Sequence, residues 1–483
     1  MDTVKINKMD NIQYSQKSMV DDFGRVFFHK NRVFRKIAKE KENFCLELIG
    51  SEMFKELIEK ELIPKTFVSN EFPESNAIIL EHKKLIESLQ HEWTFQMFKD
   101  AASTVLKINE ICNKYGYELK DAHTLNVLFD HNKPVFVDIG SIDLVKSRES
   151  WFAYQEFLNS FFIPLLFWSK NELLIVRKLL ESNFYRMFTI PSQKIEESGL
   201  YELLSVENHN YKFSFRNKVL FSTNNNLSFF RFCEKTANKI LKIIFKRNNL
   251  FQYNLKRNSL ADFYPEKEIE RNLDSLSKLN VNSQWKGYHG KFYNTIENVN
   301  YSARFKRLLE ILNNLDDIET VIDLAGNEGY FSFLLSKEMK LKGIILVDYD
   351  ENAINEAYLN SKKLGIKNVT PLLLNFMFTP DLKGTSKRLK SDLAVALAVT
   401  HHLILTDRFS LGAILERLIM FSNKYVAVEF MPLGLWSIES KIEQNLPEWY
   451  NLDWFRDEFV KYFDLIIEEQ LEENRVIFLG KIK

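Results

Sequence analysis

From residue 320 onward the chain alternates short, wholly apolar runs with longer stretches whose apolar residues recur at helical spacing. Thr320–Leu324 is a β-rich run of the length of one buried strand. Tyr330–Met339 then places Phe331, Leu334, Leu335 and Met339 at helical intervals, and Ile344–Val347 forms a second strand that ends in Asp348. Asn352–Leu364 reads as helix, and Val369–Leu374, Asp392–Leu397 and Tyr425–Phe430 as the third, fourth and fifth strands. Phe463–Glu469 and Arg475–Ile482 complete the set, with an antiparallel hairpin expected at that edge of the sheet. A helix over Ser302–Leu315 leads in. Strand and helix in alternation predict an α/β domain with a mostly parallel sheet.

The N-terminal pattern is different and predicts an α+β domain. Arg25–Phe28 and Arg32–Ile37 form a hairpin turned at His29-Lys30-Asn31, and Ser51–Glu61 and Trp93–Tyr115 are helical. In the second helix Phe98, Ala101, Val105, Ile108 and Cys112 share one face. Val127–Phe129 and Val135–Val137 form another hairpin. At 483 residues the chain is too long for one core. The expected division is a polar, poorly ordered tail at 1–20, an α+β domain at 21–200, a helical linker region at 201–265 and the α/β domain at 266–483.

Charge and cysteine content narrow the function classes. Lys plus Arg and Asp plus Glu both number 65, so no net field favours nucleic acid, and no specific nucleic-acid binding is expected. The three cysteines, Cys45, Cys112 and Cys233, are odd in number and far apart, which excludes a disulfide framework or a cysteine-rich zinc site and suits a reducing cytoplasm. Residues 1–10 lack the apolar core of a signal peptide. The most apolar run, Phe157–Trp168, is too short to span a bilayer and contains a proline, so it reads as a buried core helix. Phe229–Lys246 is a basic amphipathic helix (Arg231, Lys235, Lys239, Lys242, Lys246), read as a solvated face ahead of a contact with an anionic surface. Nothing in the pattern selects an oligomeric state.

The chemistry begins at the turn after Leu324. Gly326 and Gly329 let the backbone bend sharply and approach a ligand. Asp348 lies about twenty residues past the turn, where a carboxylate in a doubly wound sheet accepts both hydroxyls of a ribose. The turn is a weak match to G-x-G-x-x-G. It resembles motif I of the class I S-adenosylmethionine (SAM)-dependent methyltransferases: Asp323, Leu324 and Gly329 match, and Ala325 stands where the first glycine is usual. Gly326, one place later, is expected to supply the flexibility that Ala325 lacks. The resemblance implies a Rossmann-like seven-stranded sheet with SAM as cofactor. It places Asp323, Ala325, Gly326, Asn327 and Gly329 at the turn, Asp348 and Tyr349 at the ribose, and Asn375 and Phe376 at the adenine. Trp285 and Tyr288 are candidates to cover the sulfonium through cation–π contact, or else simply pack. The fourth strand delivers Thr400-His401-His402 to the crevice at the strand ends. Histidine takes a proton at neutral pH, so His401 or His402 is the candidate base for a hydroxyl acceptor, and the alternative is a capping or shielding histidine. Glu429, ending the fifth strand, is expected to bind acceptor hydroxyls or orient a histidine.

A second constellation lies near residue 130. Asp121 and Asn126 are five apart, a hairpin follows, and Asp138-Ile139-Gly140 comes next. This order resembles the kinase-like and aminoglycoside-phosphotransferase-like folds, D-x-x-x-x-N, hairpin, D-x-G. There the first Asp accepts the proton of an attacking hydroxyl, while Asn and the second Asp hold magnesium on the phosphates. The resemblance implies Mg-ATP, with Asn126 and Asp138 as metal ligands and Arg35 or Lys36 as the phosphate-binding cation. Two features depart from the pattern: Lys120 precedes Asp121, and Gly24 stands alone where a glycine-rich loop is usual. The alternative reading is that Asp121, Asn126 and Asp138 cap turns.

The two halves together, over roughly residues 24–170 and 285–480, resemble a bacterial methyltransferase family related to host-specific nodulation methyltransferases. That resemblance implies a cytoplasmic SAM-dependent O-methyltransferase acting on a saccharide or other glycan-related acceptor held by the kinase-like domain. The alternatives are a bifunctional enzyme that also phosphorylates its acceptor, and a non-catalytic interaction protein that keeps both folds.

Overall fold

The computed structural model describes residues 12–19, 21–73, 75–146, 150–181, 265–278, 302–435 and 445–483. The basic segment Phe229–Lys246, nearly all of the expected linker, and Trp285 and Tyr288 lie outside them.

The N-terminal half opens on a five-stranded antiparallel sheet of β1 (Gln13–Tyr14), β2 (Gly24–His29), β3 (Arg32–Ile37), β4 (Thr66–Val68) and β5 (Ile79–His82), in the order β1-β2-β3-β5-β4. The hairpin expected between β2 and β3 forms, with Lys30 and Asn31 taking the positive φ of its two-residue turn. Helices α1 (Glu42–Gly50) and α2 (Glu52–Glu59) follow β3; Ser51 caps α2 by accepting from the Phe54 N–H at 3.2 Å. The polar tail expected at 1–20 is ordered at its end. Tyr14 pairs with Phe27 in the sheet and sets its ring edge-on against the Phe27 ring at 5.7 Å, and that apolar contact holds the segment.

The long helix α3 (Phe95–Lys114) buries one apolar face, including Phe98, Ala101, Val105, Ile108 and Cys112. Four short strands follow: β6 (Tyr117–Leu119), β7 (Val127–Asp130), β8 (Lys133–Phe136) and β9 (Ile142–Leu144), paired as β6–β9 and β7–β8. The apolar run at 157–168 is buried helix, as its length and proline predict. It is made of α4 (Tyr154–Phe157), a π-helical turn (Leu158–Phe162) and α5 (Ile163–Ser169), and is followed by α6 (Leu173–Glu181). Among the described residues no helix is long and apolar enough to cross a membrane. Helix α7 (Ile269–Ser275) belongs with this half although residue 266 was the expected start of the other. Ile269 and Leu273 bury in its core, and Lys99 on α3 donates to the Asp274 and Leu276 carbonyls at 2.9 Å.

The C-terminal half is the expected Rossmann-like sheet. After α8 (Ala303–Asn313) come β10 (Thr320–Leu324), α9 (Tyr330–Glu338), β11 (Gly343–Asp348), α10 (Glu351–Lys363), β12 (Val369–Leu373), α11 (Leu382–Leu389) and β13 (Ser391–Ala396). Then follow α12 (Leu411–Met420), β14 (Ser422–Phe430), α13 (Leu452–Tyr462), β15 (Phe463–Glu472) and β16 (Arg475–Ile482). The sheet order is β12-β11-β10-β13-β14-β16-β15. Strands β10 to β14 are mutually parallel, and β16 runs antiparallel to both β14 and β15, which gives the predicted edge hairpin. β11 is buried along its whole length, as a strand covered on both faces must be.

The halves share a core. A single apolar cluster runs from Phe98 and Phe129 through Tyr358 to Ile322, Leu372 and Val428 on one face of the large sheet. A second cluster, with Leu309, Phe333, Leu334 and Ile344, fills the other face. Polar contacts stitch the seam. Asn132, at the tip of the β7–β8 hairpin, donates to Ser361 Oγ at 3.0 Å and to the Ile366 carbonyl at 2.7 Å. The Tyr358 hydroxyl donates to Asp100 Oδ2 at 2.6 Å, and Arg388 on α11 pairs with the fully buried Glu92.

Candidate functional sites

The sheet reverses its winding direction between β10 and β13, and open α/β sheets bind ligands in the crevice that this reversal opens at the strand ends. The turn after β10 is strained there. Ala325 (φ 60°) and Asn327 (φ 52°) both lie in the left-handed region, followed by Gly329 (φ 81°). Gly326 does not supply the flexibility expected of it, because Ala325 itself takes the conformation that favours glycine. Gly326 is needed for space instead: a Cβ would lie 2.6 Å from Asp323 Oδ2 and would also strike Leu346. The Asp323 carboxylate accepts from the Ser332 hydroxyl on α9 at 2.7 Å and so fixes the start of that helix.

Asp348 ends β11 as expected and ties two strand ends together. Its Oδ2 accepts from the Asn327 N–H at 2.9 Å and its Oδ1 from the Asp350 N–H at 2.8 Å. Burial pushes both Asp323 and Asp348 up to about 6, the latter against the pull of its backbone donors. Tyr349 stands exposed beside Asp348.

Asn375 and Phe376, the pair expected at the adenine, follow β12. The Asn375 side-chain oxygen turns back to accept from the Met377 and Phe378 N–H groups at 3.0 and 3.2 Å, forming a local turn. The Phe376 ring is 5 % exposed and packs in the shared core, while Phe378 is 68 % exposed. Phe378 is the exposed ring of this turn and leans on Phe409 with centroids 5.4 Å apart. Both rings lie past the end of β12, in the turn that the Asn375 side chain closes.

Beyond β13, Ala398 (φ 50°) is a third left-handed position, and the chain then delivers the two histidines. His401 is 5 % exposed, its Nδ1 has no hydrogen-bond partner, and burial, with His402 and Arg475 nearby, drives its pKa down to about 3. His402 is only half-buried; burial lowers its pKa while Asp407 pulls the other way. The two rings are 4.1 Å apart. Glu429, expected to bind acceptor hydroxyls or to orient a histidine, makes contact with the histidine loop. Its carboxylate is fully buried and committed to Arg304 (2.8 and 2.7 Å), Arg475 (3.1 Å) and the Ala398 N–H (3.0 Å). It braces the histidine loop from below, its carbonyl accepting from the Thr400 hydroxyl at 2.7 Å. Arg304 and Arg475, 125 and 46 residues away, carried no local signal of this cluster.

A cavity of about 510 Å³ lies between α12 and α13, lined by Phe409, Trp449, Trp454, Tyr462, Glu416 and Glu458. Gly412 keeps it open, since a Cβ there would lie 2.7 Å from Glu458 Oε1. Sequence reading missed this pair of helices as a site because both look like ordinary amphipathic covers.

In the N-terminal half the four expected residues converge. Arg35 faces inward on β3 and both its terminal nitrogens meet Asp138 Oδ1, at 3.0 and 2.9 Å, with Asp21 at 3.4 Å. Ser141, which the sequence did not single out, links the rest. Its hydroxyl donates to Asp138 Oδ2 at 2.7 Å, accepts from the Asn126 amide at 3.2 Å and lies 3.4 Å from Asp121 Oδ2. Burial pushes the Asp138 carboxyl up, but Arg35 and Ser141 bring it net below the usual carboxylate value. Asn126 and Asp138, the expected magnesium pair, are brought together through Ser141, and Arg35 holds the Asp138 carboxylate in this arrangement. No group of three or more His, Cys, Asp or Glu among the described residues is arranged to hold a metal. Gly140 makes the pairing possible, because a Cβ there would lie 2.9 Å from Arg35 Nη1.

No protein-family model matches the chain. It is similar to nodulation protein NoeA of Rhizobium meliloti (strain 1021), with 23 % identity over 432 residues that span 86 % of this chain and 84 % of that protein. Among solved structures it is similar to a SAM-dependent methyltransferase from Aquifex aeolicus, with 16 % identity, 40 % of this chain and 98 % of that one covered, and a TM-score of 0.28. It is similar as well to the N-methyltransferase NodS of Bradyrhizobium japonicum WM9, with 12 % identity, 39 % and 97 % covered, and a TM-score of 0.29.

Proposed function

We propose that the chain is a SAM-dependent methyltransferase of the cytoplasm whose C-terminal half binds the methyl donor at the β10–β13 switch point. One observation carries the reading: Asp348, at the end of β11, accepts from the Asn327 N–H in a turn where Ala325, Asn327 and Gly329 take positive φ and a Cβ at 326 would meet Asp323 and Leu346. In that cradle the residues fit the cofactor. Asp348 accepts ribose hydroxyls, the backbone of 325–329 approaches the amino-acid end, and Phe378 replaces Phe376 as the ring beside the adenine. SAM supplies an electrophilic methyl group, transferred in line to an acceptor atom with the C–S bonding electrons left on sulfur. The chain's own contribution is positioning and proton removal. His402, the half-buried ring, takes the acceptor's proton. His401 stays neutral behind it, held in place by packing and by the Thr400–Glu429 brace.

The aromatic and acidic cavity between α12 and α13 supports a saccharide acceptor. Trp and Tyr faces stack on the C–H surface of a sugar, and Glu416 and Glu458 accept hydroxyl protons. The N-terminal half, read as a kinase-like domain, then holds the acceptor or its carrier, since the Arg35–Asp138 pair opposes magnesium and phosphotransfer. Convergence of Asp121, Asn126 and Asp138 favours one second reading, a bifunctional kinase and methyltransferase.

Calorimetric titration with S-adenosylhomocysteine tests the first reading. Saturable binding in the wild type and a loss of tenfold or more in Asp348→Ala are expected, and equal affinity in the two proteins overturns it. A thermal shift with Mg-ATP that Asp138→Ala abolishes would install the second.

A further inference from the structure

The ribose carboxylate is reached from the other half of the molecule. Asp348 accepts the Asp350 N–H, and Asp350 caps α10 by accepting from the Asn352 and Ala353 N–H groups at 2.8 and 3.3 Å. The first residue of that helix, Glu351, is a common choice beside a helix dipole and ordinarily points into water. Here its side chain is 14 % exposed and receives three donors from outside the sheet unit. The Trp168 indole N–H on α5 donates at 2.9 Å, Arg177 on α6 at 2.7 Å, and Lys278, past α7, at 2.6 Å. The donors are themselves fixed. Arg177 lies 4.8 Å over the Trp168 ring and donates to the His91 and Trp93 carbonyls, and Lys278 also holds Asn352 Oδ1 at 2.8 Å.

Two cations and an indole N–H meet one carboxylate beside the Asp350 cap, so the charges at this helix N-terminus offset one another while each is tied to a partner across the seam. The arrangement makes sense if the loop just before the helix must be held against movement while it accepts ribose hydroxyls. Resting on the reading of Asp348 as the ribose carboxylate, we infer that Glu351 is a positioning residue through which Trp168, Arg177 and Lys278 of the N-terminal half set the cofactor loop. Cofactor affinity is then a property of the whole chain. By linkage, bound cofactor in turn tightens the seam between the halves.

Titration of the full-length chain with S-adenosylhomocysteine tests this. Glu351→Gln and Arg177→Gln weaken binding about tenfold, Arg177→Lys restores part of the loss, and Trp168→Phe, which keeps the ring and removes only the N–H, weakens it severalfold. The control is Asp100→Asn, which removes the Lys362 ion pair and weakens the Tyr358 bond on the same helix and in the same interface but two or more turns from the loop. It lowers the melting temperature and leaves affinity within twofold. Binding within twofold of wild type in Glu351→Gln, Arg177→Gln and Trp168→Phe together overturns the inference, as does an equal loss in Asp100→Asn. Should Glu351→Gln not fold, Trp168→Phe carries the test. A wild type that binds no S-adenosylhomocysteine overturns the cofactor reading beneath it and is distinguishable from every other result.

Discussion

At the scale of the residue, the candidate cofactor site depends on backbone conformation more than on side-chain identity. Ala325 pays a left-handed φ that for an L-residue costs roughly 1–2 kcal/mol, whereas Gly326 avoids a clash. Ala325→Gly is therefore expected to leave ligand affinity intact and to raise stability by up to about 1 kcal/mol, while Gly326→Ala lowers stability by about 1–3 kcal/mol and disrupts ligand binding; thermal melts and titrations separate the two. The histidines give a pH signature. His402 must be neutral to accept a proton and burial depresses its pKa, so activity should rise with pH along a limb centred below 6.5. A limb centred above 7, or an unchanged limb in His402→Gln, would remove it as the base. Asp348 itself was legible from the sequence, because a carboxylate ending an apolar run is a local signal. The positive φ of Ala325, the burial of Phe376 and the partners of Glu429 were not, since each is decided by residues distant in the chain.

Elements were legible wherever apolar runs were long and buried. All seven strands of the large sheet and the register-setting edge hairpin follow from their composition. The sequence was silent where strands are short and half-exposed: in β4, two of the three residues face solvent, so alternation has almost nothing to act on. It also missed α1, which buries only Cys45 and Leu48. Between elements, one buried polar tie joins Arg388 on α11 to Glu92, a carboxylate with no solvent exposure. Arg388→Ala leaves that charge uncompensated and is expected to destabilise by about 3–5 kcal/mol, read as a fall in denaturation midpoint. Arg388→Met with Glu92→Gln should recover most of the loss.

At the scale of the molecule, the common core joins the two halves into one body. Calorimetry is expected to show a single unfolding transition with equal calorimetric and van 't Hoff enthalpies, and two resolved transitions would show the halves to be independent. Residues 302–483 expressed alone should aggregate, because Ile322, Leu372, Tyr358 and their neighbours would lose their cover. The seam also bears on inheritance. A chain whose halves meet through Asp100, Asn132 and Glu351, each matched to a partner on the other side, is transmitted as a unit. A recombinant that joins this N-terminal half to a relative's sheet keeps two plausible domains yet brings together unmatched faces. Transplanting the seam with the sheet should restore a soluble chimera, so the lineage of either half is bound to that of the other.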